Sequence, residues 1–339
     1  MNRPRSLEAA AFVLVLVAVP ASAFHDGGVA ACSGCHLMHQ GPSGSPAVAD
    51  LLIENPSDLC LTCHADSQGE VLGVDPLLPP PERGGGNFVF LLEDNLNDAP
   101  DGATNPIPGD VAGHNVVAPG NGLVADSRNT VAPGGTFPAA ELGCTSCHDP
   151  HGSSEFRMLY GAGTVQGGTA TFIYPAPRAD GIDLQGPPES VSNHTAYRAG
   201  MSDWCANCHG LFHDEFGALE HPIEEELGND EVDQYNLYNG DADPTGGSFA
   251  TAYLADVPFE EANASTSSTT GATPDSLVMC LTCHRAHASS APFGTRWDTN
   301  VSTLVEDGLA SGSYAIPSPY ADPGQGTLCT KCHLGGPPD

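Results

Sequence analysis

Apolar positions along this 339-residue chain form one long run and otherwise fall into short groups. The run spans Ala9 to Pro20, follows Arg3 and Arg5, and precedes Ala21-Ser22-Ala23. A basic start, a short apolar stretch and an A-x-A site read as a secretory signal peptide. A membrane span takes roughly 20 apolar residues, and neither this run nor any later segment reaches that. Residues 1–23 are therefore expected to be cleaved, leaving a mature chain 24–339 without a membrane span. No cysteine directly follows the cleavage site, so no lipid anchor is expected. Beyond it, Leu51-Leu52-Ile53 suggests a short helix leading toward Cys60, and no strand order emerges.

Composition explains the short groups. The chain has 40 Gly and 30 Pro against 12 Phe and 2 Trp. Gly and Pro interrupt helices and strands, so long regular elements should be rare and something other than an ordinary apolar core should organise the chain. Pro79-Pro80-Pro81 and Gly84-Gly85-Gly86 mark one break, and Ser265 to Thr270 reads as a mobile surface loop or a glycosylated one. The net charge is -32, with 42 acidic and 10 basic residues and a single lysine, Lys331. Nucleic acid and anionic lipid are excluded as partners, since both need Lys/Arg clusters. Copies of such a chain repel one another unless cations screen them. The acidic stretch Glu224 to Glu226 with Asp230, Glu231 and Asp233 reads as a solvated face.

The chemistry lies in the cysteines. All 12 fall in six copies of C-x-x-C-H: Cys32/Cys35/His36, Cys60/Cys63/His64, Cys144/Cys147/His148, Cys205/Cys208/His209, Cys280/Cys283/His284 and Cys329/Cys332/His333. Two thiols so spaced add to the vinyl groups of one haem, and the next residue becomes its proximal ligand. Disulfides or zinc would not require a His after every second cysteine. The cofactor expected is haem c, six per chain. The first cysteines are 28, 84, 61, 75 and 49 residues apart, which puts haems near both ends of the mature chain.

Fourteen histidines are present, six of them proximal. The candidates for distal iron ligands are His25, His39, His114, His151, His213, His221 and His287, while His194, in a polar Ser-Asn-His-Thr stretch, reads as a non-ligand. His114 and His221 enter by arithmetic alone. Five Met in the whole chain make His/His ligation, and low potentials, the expectation. Three motifs extend to C-x-x-C-H-x-x-H, giving His36/His39, His148/His151 and His284/His287, with His209/His213 close to the pattern. Residues three apart on a helical turn share one side. The second His should therefore reach past its own haem and bind a neighbouring one, stapling two haems together. Enough histidines exist to close every iron, so no catalytic residues and no enzyme activity are expected. One continuous haem-cored unit is the simplest organisation.

The chain resembles the OmcS-type hexahaem extracellular cytochromes, a multihaem c-type family whose subunits polymerise into conductive filaments. The segments that carry this are Phe24 to His39, Gly113-His114-Asn115, Ala132 to Gly152, Gly200 to His209, Ala252 to Glu261, Cys280 to Ser289 and Leu328 to His333. They run in order along the whole mature chain, and several lie outside the haem motif. The resemblance implies a mostly irregular, coil-rich fold with a few short helices and minimal strand. It implies a single chain wrapped around a linear stack of six haems in alternating parallel and T-shaped pairs. It further implies that His39 ligates the haem on Cys280/Cys283/His284 of the adjacent subunit. Residues 75–105 and 164–195 depart from the family, and the surface is more acidic.

The function expected is electron transfer along a secreted homopolymeric nanowire at the cell surface. It would be fed by periplasmic or outer-membrane cytochromes and would serve extracellular electron acceptors. The alternative is a monomeric periplasmic or cell-surface shuttle in which His39 binds within its own chain. A multihaem reductase would need a five-coordinate, high-spin haem.

Overall fold

Helices begin where the sequence supplies caps. Helix α1, Pro56–His64, has proline at its first position and Asn55 before it, whose side chain accepts from the backbone N–H of Ser57 at 2.9 Å. Cys144–Cys147 forms the single turn α2. Helix α3, Met201–His213, receives two carboxylates at its N-terminus. Glu260 accepts from Gly200 and Met201, and Glu224 accepts from Asp203 at 3.0 Å. Helix α4 spans Asn229–Leu237, and Cys280–Cys283 forms the turn α5. Glu224 thus has a structural task, while Glu225, Glu226, Asp230 and Asp233 are solvated.

The computed structural model describes residues 34–36, 54–65, 71–73, 84–92, 96–97, 106–107, 111–168, 170–182, 187, 189–213, 223–299, 302–304 and 318–333. The signal segment, Leu51 to Ile53, His25, Cys32, His39 and His221 lie outside these residues. Among the described residues strand is minimal and confined to three antiparallel two-stranded ribbons. These are β1 (Leu96–Asn97) with β2 (Pro106–Ile107), β3 (Val165–Gln166) with β4 (Ala170–Thr171), and β5 (Arg178–Asp180) with β6 (Ala196–Ala199). The fold is mostly irregular, as expected from its Gly and Pro content. No helix among the described residues is long and apolar enough to cross a membrane.

Two expectations need correction. The chain does bury apolar cores, but they are small and attached to the cysteine motifs. One, including Leu61, Phe88 and Phe90, surrounds α1. A second, with Tyr197, Met201, Met279 and Leu281, lies between α3 and α5. The third, including Tyr235, Leu254, Phe259 and Trp297, abuts Cys329 and Cys332. There Lys331 is buried, donates to the carbonyl of Tyr238 at 3.0 Å and stands 4.5 Å from the centre of the Tyr235 ring. Burial lowers its pKa to about 8. The Ser265 to Thr270 run is not a loose loop either. The carbonyl of Thr266 accepts from His194 N–H at 3.0 Å, that of Thr269 accepts from Tyr253 at 3.1 Å, and the Thr269 hydroxyl donates to Ala250. Backbone partners distant in sequence hold it, which composition alone does not reveal.

Candidate haem sites

Four of the six motifs dock in pairs by a repeated device. The Ser57 hydroxyl, three residues before Cys60, accepts from the backbone N–H of Cys144 at 3.1 Å. The Ser202 hydroxyl, three residues before Cys205, accepts from the N–H of Cys280 at 3.0 Å. The thiols of Cys60 and Cys144 are in hydrogen-bonding contact, as are those of Cys205 and Cys280. In the receiving motifs Ser146 and Thr282 accept from Gly143 and Met279 at 3.0 and 3.1 Å, a local cap on each turn. Motif two thus joins motif three as motif four joins motif five. Sequence reading missed Ser57 and Ser202; aligning the motifs with their flanks would have exposed the shared Ser-x-x-Cys.

The attachment cysteines, equivalent by sequence, are not equivalent in their surroundings. None of the described cysteines forms a disulfide. Cys35 and Cys63 stand apart from the two thiol pairs. Cys35 is half-buried on the turn that leads to His36, outside any of the helices. The Cys60 thiol is held well above its usual pKa by its hydrogen bond with Cys144, then by burial, with Cys35 adding a smaller push. Cys63 lies in the last turn of α1 and is the one exposed thiol among those described. A cysteine side chain is usually buried, so an exposed one in this motif suits a sulfur whose partner is not polypeptide.

The imidazoles meet across motifs. His36 and His151 face each other with ring centroids 6.1 Å apart and planes within 10°. His148 and His287 are 6.4 Å apart, and His114 and His209 are 5.8 Å apart. Two imidazoles bound to one metal at about 2 Å from each nitrogen place their ring centres roughly 6 Å apart. Each pair therefore has room for one iron and offers it two of six ligands, leaving four equatorial positions for a macrocycle. Every pair joins a motif His to one of the seven distal candidates.

The premise about helical turns does not hold, although it led to cross-motif pairs. Helices α2 and α5 end on the second cysteine. His148 (φ -108°, ψ 138°) and His284 (φ -111°, ψ 159°) are already extended, so the chain has left the helical turn before His151 and His287 are reached. His213 ends α3, which is kinked at His209. Motif six lies on a tight turn, Leu328–Lys331, with His333 N–H bonded to Cys329.

In five of the motif and candidate rings the second nitrogen is occupied. Nδ1 of His114 lies 2.7 Å from the Ala286 carbonyl, His148 2.8 Å from Arg157, and His209 2.7 Å from Pro133. His284 pairs likewise with Phe293 at 3.1 Å and His287 with Gly86 at 3.4 Å. Donation from Nδ1 to a carbonyl fixes the tautomer and leaves Nε2 as a bare lone pair, the usual outer-shell arrangement of a metal-bound histidine. His194 contrasts with all of these. It is buried, stacks on Tyr253 at 3.7 Å, and both ring nitrogens face carbonyl oxygens, of Thr195 and Ser268.

Close backbone approach makes this possible. Gly113 pairs with Ala288, and a Cβ there would collide with the His287 carbonyl; one at Gly135 would collide with the Cys208 carbonyl. Burial lowers the pKa of His209 to about 4, with His114 adding to it, and that of His287 to about 3, with His148 adding to it. Iron binds the neutral ring. Depressed values mean the contribution of these groups is present above the unfolded value of about 6.5 and is lost as pH falls through the folded ones. Iron competes with the proton for the same Nε2, so a titration followed by absorbance should keep its low-spin bands from pH 7 to below about 4 and lose them only in stronger acid.

The surroundings also fit a haem's anionic edge. Arg296 is 4% exposed; its backbone N–H donates to Cys283 at 2.7 Å, its Nε to Leu281 at 2.7 Å and its Nη1 to Ala255. Its Nη2 is buried without a hydrogen-bond partner among the described residues. A buried guanidinium with spare donors beside an attachment site suits a carboxylate that the polypeptide does not supply.

Comparison with known proteins gives the same picture. The family model of the doubled CXXCH motif matches residues 24–69 and 137–170. The chain is 31% identical to the C-type cytochrome OmcS of Geobacter sulfurreducens, over 97% of this chain and 98% of that one. Its fold is similar to that in the outer membrane cytochrome S filament from that organism, with a TM-score of 0.75 and 28% identity over 91% of this chain and 99% of the other. A second structure, of the OmcS nanowires, gives 0.73 and 29% over the same shares. With its C-x-x-C-H motifs, facing imidazoles and full-length likeness, this chain belongs to the OmcS-like multihaem c-type cytochromes, which are electron carriers and not enzymes.

Proposed function

We propose that the mature chain 24–339 carries six haems c with His/His-ligated iron and polymerises into an extracellular filament that conducts electrons. Both cysteines of every motif would be bonded to haem, Cys35 and Cys63 included. The observation that carries the reading is the set of three cross-motif imidazole pairs at 5.8 to 6.4 Å. Each would hold the haem of one motif through a distal His from elsewhere. The haem of His36 takes His151, that of His148 takes His287, and that of His209 takes His114. His64 and His333 would draw on His25, His213 and His221, leaving one surplus. His151 and His287 follow His148 and His284 by three residues, so one short segment would fix two haems at short range, as electron hopping requires.

The haem of His284 would be completed in trans by His39 of the next subunit. One observation supports this: the similar OmcS chains form filaments. Bonding through iron would hold together strongly acidic subunits that otherwise repel one another, the full chain carrying a net charge of -32. Alanine at position 39 should abolish filaments while haem content per chain stays at six. Filaments at normal yield from that variant would remove the in-trans ligand. Native protein found only as dispersed particles, at low and high salt alike, would instead make the chain a soluble shuttle.

A further inference from the structure

Four non-glycine residues among those described have positive φ, and three of them occupy two turns of identical design. Arg157 (φ 51°, ψ 24°) and Met158 (φ 57°) form one; Phe293 (φ 59°, ψ 24°) and Gly294 (φ 63°) form the other. Each is closed by a bond across four residues, from Leu159 N–H to Phe156 at 3.0 Å and from Thr295 N–H to Pro292 at 3.2 Å. Two consecutive left-handed residues normally call for Asn-Gly or Gly-Gly. Arg-Met and Phe-Gly are poor occupants, so something else retains the conformation.

Each turn stands at the same offset from a motif histidine. The chain returns as a narrow hairpin, with Tyr160 N–H on Cys147 and Asp149 N–H on Met158 in one copy. In the other, Arg296 N–H is on Cys283 and Arg285 N–H on Gly294. The first left-handed residue lies nine positions after the histidine in both, and its carbonyl accepts from that ring's Nδ1. Side-chain packing does not explain the second turn, because Phe293 is 73% exposed. What the left-handed backbone does in both is aim one carbonyl at one imidazole.

We propose that these twin turns are orienting devices for iron-binding imidazoles. The carbonyls of Arg157 and Phe293 fix the ring planes of His148 and His284 and strengthen both rings as donors toward ferric iron. Arg157 and Phe293 are positioning residues, acting through the histidines. The inference rests on the haem reading above, and the test separates the two.

The exposed Phe293 side chain allows a graded series in the full-length holoprotein: Phe293→Gly, Phe293→Ala and Phe293→Val. Glycine adopts the left-handed conformation freely, alanine less so, and a β-branched valine least. Electron paramagnetic resonance and spectroelectrochemistry are the readouts, with haems per chain counted chemically in the same samples. Phe293→Gly should leave every signal in place. Phe293→Val should move one low-spin signal and favour the ferrous form of that haem about ten-fold, or about 60 mV for one electron. Phe293→Ala should fall between, and it decides the matter if the valine variant does not load haem. Unmoved signals in Phe293→Ala and Phe293→Val at full haem content would overturn the proposal. So would a shift in Phe293→Gly as large as that in Phe293→Val, since the ring and not the carbonyl would then be responsible. Fewer than six haems in the parent chain would instead sink the reading on which it rests.

Discussion

Alanine at position 287 should convert one haem of the six proposed from low spin to high spin and leave the others unchanged. His287 lies 6.4 Å from His148 and is held from three sides: by Gly86 through Nδ1, by the Phe88 ring at 4.6 Å, and by Gly113 along its backbone. Removing the ring leaves iron on His148 with an open position. His287 is the distal candidate that faces His148, so a water or an added small ligand would take its place. The loss should appear as one-sixth of the iron gaining a high-spin signal, and as the sole haem that binds carbon monoxide on reduction. His194→Ala is the contrasting variant. It removes an imidazole that is more deeply buried, yet both nitrogens of that ring are already engaged by carbonyls. Its spectrum should stay fully low spin, and only resistance to denaturant should fall.

The second large effect concerns stability. Tyr235→Ala should cost about 4 kcal/mol, the usual range for deleting a large buried aromatic being 3 to 5. Tyr235 is 1% exposed, packs edge-on against Phe259 at 5.3 Å, and carries the Lys331 ammonium over its face. Its hydroxyl donates to Val257 at 2.9 Å and accepts from Leu254 at 3.1 Å, so two backbone groups also lose partners. Tyr235→Phe isolates that hydrogen-bonding part and should cost about 1 to 2 kcal/mol. Denaturant unfolding of the haem-loaded protein measures both. Because Lys331 lies between Cys329 and Cys332, the alanine variant should also lower the yield of chains with all six haems.

The C-x-x-C-H motifs were legible in the sequence because the pattern is local. Cys-x-x-Cys-His is read by counting, and so was the excess of histidines over motifs. The differing surroundings of the cysteines were not: nothing in the motif distinguishes exposed Cys63 from Cys60, whose thiol meets Cys144. The tendency of His151 and His287 to reach another motif was legible too, though for the wrong reason: the chain leaves the helix at the motif histidine. The pairings were not legible. His114 meets His209, and His148 meets His287, across long stretches of chain whose Gly and Pro content sets no register. The Gly84-Gly85-Gly86 run looked like a break, yet it packs against the His287 ring. The carbonyls of Arg157 and Phe293 are backbone groups, invisible to residue-type reasoning. Arg296 could have been suspected, since few cations exist in so acidic a chain.

Low-spin haems stapled in pairs make a conductor only if each iron sits between the proposed histidines. Cryo-electron microscopy of the native protein tests this most directly. The account predicts filaments with six haems per subunit. Iron density should lie between His36 and His151, His148 and His287, and His114 and His209, with His39 reaching the His284 haem of the next subunit. Irons paired with other histidines, or left five-coordinate within an otherwise ordered filament, would contradict it.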